Sequence, residues 1–381
     1  MCLPLCLCVK YFMTTRNEQL SGLLQTHIDS GEFPSAVYLV GERDQILYED
    51  ALGHSVVDPY RIANKLDTIY DLASLTKPLV TALLCARRIE LGELTLDSSV
   101  SHYLAEFDRT DKQIITVREL LTHTSGLPAW RPLYLLTEDE PERAAGAIAN
   151  LDLEYKPGTR VVYSDLGFIA LGILLERMSH QRLADMATRE IFEPLKLQQT
   201  FFNPELALQT GIAACETGNA YEVDMCKQSG AGEYANSRQR LIWGEVHDGN
   251  AYFLGGAAGH AGLFSTTRET FLIAQQFLGD MTKLLTPDTC RLFRENMTPG
   301  LEEARSIGWQ LAATKDSTAG AALPPDSFGH NGFTGTCVWI DPNAQRVFIL
   351  LTNRTHARVL PFANINSVRR EFNRVAAQAL E

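Results

Sequence analysis

The two stretches of this chain that read as paired strands stand near its opposite ends, and that separation limits the folds open to it. Residues 35–49, Ser-Ala-Val-Tyr-Leu-Val-Gly-Glu-Arg-Asp-Gln-Ile-Leu-Tyr-Glu, read as two strands around a polar turn. Residues 337–352 read as a second hairpin, with Asp341-Pro342-Asn343 at its turn. Between them apolar residues recur at helical spacing over 77–91, 116–123, 164–179 and 183–192. Two more helices flank the strand pairs. One covers 17–30, with Leu20, Leu23, Leu24 and Ile28 on a face and Gly31 at its end, and the other covers 364–380. Hairpins placed this way are expected to join into one antiparallel sheet built from both ends of the chain. The fold class is therefore α+β: a central antiparallel sheet formed by N- and C-terminal strands flanked by helices, with an inserted mostly helical region. Residues 14–381 read as a single catalytic-sized domain, its α/β part about 14–75 and 265–381 and its helical part about 76–264. A cleft at their junction is the natural place for a site.

The 381 residues, 45% of them hydrophobic, supply a large core. A net charge of −12 and a pI near 5.3 argue against nucleic acid or an anionic membrane as the main partner. The eight cysteines show no Cys-x-x-Cys pair and no zinc spacing, so free, buried thiols in a reducing compartment are expected. Residues 1–13 form an apolar N-terminal extension carrying Cys2, Cys6 and Cys8, and Met13 could be the initiator instead. The extension is too short to span a bilayer, and its cation, Lys10, follows the apolar run, which makes a poor signal peptide and favours the cytoplasm. Cell-wall substrates would instead require export to the periplasm. The uncharged run 249–267 is glycine-rich and broken by polar residues, so no membrane span is expected there.

Ser74-Leu75-Thr76-Lys77 opens the helix over 77–91. A serine and a lysine three apart at a helix start share a face, beside free backbone N–H groups. A neutral lysine there could take the serine proton and activate a nucleophile without histidine. With 18 serines and 9 lysines in the chain, about 0.4 such pairs arise by chance, so the motif needs company. Two other stretches supply it. Pro157-Gly158-Thr159-Arg160-Val161-Val162-Tyr163-Ser164-Asp165 delivers Tyr163 to a helix start, where nearby cations would favour its phenolate as a base. Phe328-Gly329-His330-Asn331-Gly332-Phe333-Thr334-Gly335-Thr336 leads into the C-terminal hairpin, and its glycines would let a substrate lie against an edge strand. The phrase Ile115-Thr-Val-Arg-Glu-Leu-Leu-Thr-His-Thr-Ser-Gly-Leu-Pro128 has no evident chemistry and reads as structural, with Ser125 in a helix-ending turn. His247, Asp248 and His260 lack metal spacing and read as loop-ordering polar residues beside the cleft. Gly-x-Ser-x-Gly is missing, against a Ser-His-Asp hydrolase.

Taken in order, Ser-x-x-Lys, Tyr-Ser-Asp and His-Asn-Gly resemble the serine β-lactamase-like superfamily, in the branch of class C β-lactamases, DD-peptidases and related esterases. The resemblance runs from Ser35 to the C-terminus. It implies that Ser74 is the acylated nucleophile, that Lys77 and Tyr163 shuttle its proton, and that the backbone N–H groups of Ser74 and Phe333 form the oxyanion hole. Asp165, His330, Asn331 and Gly332 would lie against the substrate. Two departures bear on specificity. Asp165 stands where lactam- and peptide-directed members have an asparagine, and an ionised carboxylate cannot donate to a substrate carbonyl. His330 stands where those members have lysine, and neutral histidine lacks the cation that suits a substrate carboxylate. The expected activity is a serine hydrolase acting through an acyl-enzyme on a carboxylic ester or amide, without metal or organic cofactor. D-alanyl-D-alanine carboxypeptidase or β-lactamase activity is the alternative, and a catalytically inactive cell-wall peptide-binding protein is the alternative of another class. The partner is a small-molecule ester, amide or peptide.

Overall fold

The computed structural model describes residues 15–108, 111–233 and 237–381; the apolar extension 1–13 lies outside them. The strands in chain order are β1 (Ser35–Glu42), β2 (Gln45–Val56), β3 (Ile62–Ala63), β4 (Tyr70–Asp71), β5 (Phe264–Ser265), β6 (Gln310–Leu311), β7 (Phe328–Asn331), β8 (Cys337–Asp341) and β9 (Arg346–Thr352). Seven make one antiparallel sheet in the order β3-β2-β1-β9-β8-β7-β6. The two expected hairpins join through β1 and β9, with Val37 opposite Leu351 and Leu39 opposite Ile349. A fold of this class places the sheet from both chain ends against the inserted helices, as the strand positions required.

Side chains alternate across the sheet, and both faces are covered. Ala36, Tyr38 and Val40 of β1, Trp339 of β8, and Phe348 and Leu350 of β9 pack with Leu20, Leu24, Val368 and Phe372 from the two terminal helices, Glu18–Asp29 and Asn366–Gln378. Val37, Leu39, Val338, Ile340, Val347, Ile349 and Leu351 face the opposite way, into the larger core shared with the inserted helices. Each such fully buried side chain contributes about 1.5–3 kcal/mol. Burial on both faces explains why these strands read as nearly unbroken apolar runs.

The inserted region is helical in shorter pieces than the periodicity predicts. The 77–91 helix begins earlier, as a 3-10 turn over Ala73–Leu75, passes through a π-helical stretch Lys77–Ala82, and becomes α-helical at Leu83–Glu90. Pro78 sits in its first turn, where its missing N–H is no loss. The longest inserted helix is Asp165–Ser179. It packs against the glycine-rich loop 254–263: a Cβ on Gly259 would fall 2.0 Å from the Phe168 carbonyl oxygen, so only glycine lets the two backbones meet. Cys85, Cys215, Cys226, Cys290 and Cys337 are free and buried. Among the described residues no helix is long and apolar enough to cross a membrane.

Candidate active site

Ser74 reaches the junction of sheet and helices on a constrained turn. The short β4–β5 pair ends at Asp71, and Leu72 N–H continues it by donating to the Leu263 carbonyl at 2.8 Å. Ala73 then turns with φ of +48°, a conformation unfavourable for a side chain bearing Cβ. Its neighbours hold it there. The Asp71 carboxylate accepts from Ala73 N–H at 2.8 Å, and Thr76 Oγ1 donates to the Ala73 carbonyl at 2.7 Å. From the sheet, Thr334 and Thr336 hydroxyls donate to the carbonyls of Asp71 (2.7 Å) and Leu72 (3.0 Å). The glycine-rich stretch before β8 is therefore part of the scaffold under Ser74. Gly332 shows why: a Cβ there would lie 2.0 Å from Thr336 Oγ1 and 2.5 Å from the Leu72 carbonyl oxygen. Its need for glycine comes from this close backbone approach rather than from room for a substrate.

Lys77 is fully buried, and its Nζ donates to Ser74 Oγ at 2.9 Å and to the His260 carbonyl at 3.1 Å. The same Nζ stands 2.7 Å from Asp165 Oδ1. Burial by itself would push the ammonium down, but Asp165 and then Tyr163 outweigh it and hold Lys77 above the ordinary lysine range. That environment favours the cationic form of Lys77, whereas the proton transfer read from the motif needs the lysine neutral. A carboxylate at hydrogen-bond distance is the reason.

Tyr163 is brought in by the phrase read as purely structural. His123 Nδ1 accepts from Ser164 N–H at 3.0 Å, the His123 carbonyl accepts from Val162 N–H at 2.9 Å, and Ser164 Oγ donates to the Pro128 carbonyl at 2.7 Å. Ser164 also caps the Asp165–Ser179 helix, accepting from Gly167 N–H. The Tyr163 ring lies between His123 (centroids 4.5 Å apart) and His330 (5.7 Å), with Lys77 Nζ 4.9 Å from its centre. Its buried hydroxyl makes no hydrogen bond of ordinary geometry, although Lys77 and Ser74 are close enough to act on it. Burial raises this phenol, and the Lys77 cation pulls it part of the way back.

Strand β6 pairs only with Phe328 and Gly329 of β7, so His330 and Asn331 have a partner on the β8 side alone. That open edge borders a cavity of about 570 Å³ lined by Ser74, Tyr163, Asp165, His330, Asn331, Gly332 and Phe333. The sequence-predicted residues that line it meet there, and Lys77 lies beneath Ser74. His330 Nδ1 donates to the Asn331 carbonyl at 2.8 Å, which leaves Nε2 as a buried lone pair. Burial, then Lys77 and Arg305, push His330 well below its ordinary range, so the imidazole is neutral. Phe333 N–H makes no hydrogen bond among the described residues, and Ser74 N–H belongs to a first helical turn, where donors lack intrahelical acceptors.

Three arginines of the cavity were not foreseen. Arg305, paired with Glu303, places its guanidinium 5.8 Å from the Tyr163 ring centre. Arg354 and Arg369 have no carboxylate within ion-pair distance among the described residues. Arg369 donates to the Gly332 and Thr336 carbonyls, and burial pulls it down to about 10. None carries a local motif; the turn after β9 brings Arg354 to β7, the C-terminal helix brings Arg369, and the segment bridged to Gln310 before β6 brings Arg305. His247 and His260 pair with Glu216 (2.9 Å) and Asp248 (2.8 Å) behind the cavity.

A sheet from both chain ends, an inserted helical region and a serine with a buried lysine at their junction define a serine hydrolase fold. The sequence profile of the β-lactamase family matches residues 20–368. A protein of Escherichia coli strain K12, provisionally named a D-alanyl-D-alanine carboxypeptidase, is 31% identical over 91% of this chain and 84% of its own length. Among solved structures, EstCE1, described as a hydrolase with promiscuous acyltransferase activity, superimposes with a TM-score of 0.72 over 94% of this chain and 98% of that one, at 21% identity. A penicillin-binding protein homologue from Caulobacter crescentus gives a TM-score of 0.72 at 17% identity, over 96% and 98% of the two chains. The chain belongs to the β-lactamase family, and it is a serine hydrolase.

Proposed function

We propose that Ser74 is the acylated residue and that the substrate is an ester or amide. The observation that carries this is the Lys77 Nζ to Ser74 Oγ contact of 2.9 Å beside Tyr163, on a cavity wall. The Ser74 proton passes to the Tyr163–Lys77 pair, in the form that has already given one of its two protons to solvent, as Oγ bonds to the acyl carbon; the bond from that carbon to the leaving group then breaks. The carbonyl oxygen gathers negative charge against the Ser74 and Phe333 N–H groups, and one such donor stabilises the transition state by about 3–4 kcal/mol. The proton then goes to the leaving oxygen or nitrogen, and water repeats the sequence to release the acid. Neutral His330 supports an uncharged substrate at the β7 edge.

A second reading is favoured by Arg354 and Arg369, two cations on one cavity with no carboxylate at ion-pair distance among the described residues. They support a substrate ending in a carboxylate, of the D-alanyl peptide kind after which the Escherichia coli relative is named. This reading carries an exported location, whereas the ester reading is compatible with the cytoplasm.

Treatment with a fluorophosphonate and mapping of the adduct by mass spectrometry tests the shared chemistry. Labelling away from Ser74, or nitrophenyl-ester turnover unchanged in Ser74→Ala, refutes it. Turnover of a neutral ester, nitrocefin and a D-alanyl peptide on one preparation separates the substrate readings. Saturable peptide binding with no adduct would instead mark a binding protein.

A further inference from the structure

We propose that the cavity behind the Ala220–Gln228 helix binds a small organic ammonium ion, with the Glu222 carboxylate as its counter-charge. That helix stands between two cavities. Tyr221 lines the one that holds Ser74 and packs on Phe333, whereas Glu222 and Cys226 line a second of about 220 Å³ with Tyr134, Arg238 and Tyr252. Binding there is separate from the Ser74 chemistry, and neither claim depends on the other.

Glu222 is buried, and its oxygens are held by neutral donors: Gly249 N–H donates to Oε1 at 2.6 Å and the Tyr134 hydroxyl to Oε2 at 3.2 Å. No lysine, arginine or histidine lies at ion-pair distance from it among the described residues. Arg238, buried on the same cavity, is spent elsewhere. It donates to the Val246 (2.5 Å) and His247 (2.6 Å) carbonyls, and Glu245 stands 3.8 Å from it and 2.6 Å from Arg240. Its guanidinium lies 4.3 Å from the centre of the Tyr252 ring, so an aromatic face here already receives a cation. A buried carboxylate without a cation is costly and tends to take up a proton. A carboxylate among tyrosines suits an alkylammonium, with its charge on Glu222 and its carbon against the rings. A divalent metal would need several carboxylate oxygens, and no group of three metal-ligating side chains occurs among the described residues.

The charged and titratable groups facing Glu222 are His247 and Asp248 from the segment before the Gly249–Phe253 helix, Arg238, Tyr134 and, on its own helix, Cys226. Burial and Asp248 push Glu222 up to about 7, so below that pH the ammonium must displace a proton, which leaves to solvent. An alkylammonium keeps its own charge across this range, as a lysine side chain does. Affinity should therefore fall about tenfold for each unit below pH 7.

Calorimetric titration of the full chain with n-propylammonium chloride at pH 8 should show saturable binding, and n-propanol or sodium chloride at the same concentrations should show none. At pH 5.5 the wild type should bind about 30-fold more weakly than at pH 8. Glu222→Gln keeps the size of the side chain and should weaken binding at pH 8 by about tenfold or more, with its thermal midpoint as the check that it folds. Absence of saturable binding by the wild type at pH 8 overturns the proposal without any variant. Equal binding of n-propanol, an affinity that ignores pH, or an affinity unchanged in Glu222→Gln overturns it as well.

Discussion

Arg354 grips Phe333 in two ways: its Nε donates to the Phe333 carbonyl at 2.7 Å, and its guanidinium lies 4.8 Å from the centre of the Phe333 ring. Tyr221 and His247 pack against the same ring, at 4.6 and 5.3 Å between centroids. The side chain is thus locked, and with it the peptide that carries Phe333 N–H, the proposed oxyanion donor. Arg354→Met keeps the length of the side chain and removes the donor and the charge. On a neutral ester, kcat should fall about 10²-fold with little change in KM, because a displaced donor is felt mainly in the transition state. Unchanged kcat on that ester would show that Phe333 is held without Arg354.

Gly332→Ala probes the close approach of β7 to the serine turn. The added methyl would meet the Leu72 carbonyl oxygen at 2.5 Å, and Leu72 is backbone two residues before Ser74. The turn must therefore move, carrying Ser74 away from the Phe333 N–H. Labelling by fluorophosphonate should slow by about 10²-fold or more, and the thermal midpoint should drop by several degrees. A variant with wild-type labelling rate would show that the turn tolerates the shift.

The fold was legible because the strands at the two chain ends are long and apolar, and a sheet can satisfy their edges only by joining them. Ser74, Lys77 and Tyr163 were legible as a group because each stands at a helix start carrying a polar motif, and the structure brings their side chains together. What the sequence could not show were contacts set by tertiary approach. Lys77 looked able to be neutral because the Asp165 carboxylate lies 88 positions away. Gly332 looked like a substrate glycine because nothing local reveals the Leu72 carbonyl beneath it. His123 looked merely structural, and it is the residue whose ring and carbonyl seat Tyr163. Arg354 and Arg369 sit in no motif at all, and their place on the cavity exists only as a property of the fold.

Behind Phe333, two buried groups make stability depend on pH in the same direction. Burial would lower His247, but Glu216, Asp71 and Glu222 outweigh it, so it is raised. Burial, then Asp248, push Glu222 up to about 7. Both groups bind more protons folded than unfolded above their ordinary values, so stability falls as pH rises through that window. For His247 the contribution is fully present below about pH 6.5 and is lost above its raised folded value. For Glu222 the loss runs between about 4.5 and 7. His123, His330 and His356, held below their ordinary range by burial, act in the opposite sense in wild type and variant alike. The urea midpoint of the wild type minus that of His247→Gln should therefore be larger at pH 6 than at pH 9. An unchanged slope in the variant would show that the His247–Glu216 pair carries no net linkage.

His330 decides how the cavity treats a substrate charge. Its Nδ1–H is committed to the Asn331 carbonyl, and burial with the nearby Lys77 and Arg305 cations keeps the ring neutral. His330→Lys would place an ammonium at the open edge of β7, beside Arg369 and across from Tyr163. The new charge disturbs Tyr163 and Lys77 whatever the substrate, so absolute rates are a poor guide. The ratio of kcat/KM for a carboxylate-bearing ester to that for its neutral analogue cancels this common effect. That ratio should rise about tenfold, equivalent to about 1.4 kcal/mol of differential binding. The same tenfold step should be lost again at high ionic strength if it is a charge effect on a solvent-reachable group. A ratio that stays constant, with both substrates gaining or losing alike, would show that discrimination against carboxylates does not arise at residue 330. Arg354 and Arg369 would then be the groups that set how charge is received in this cavity.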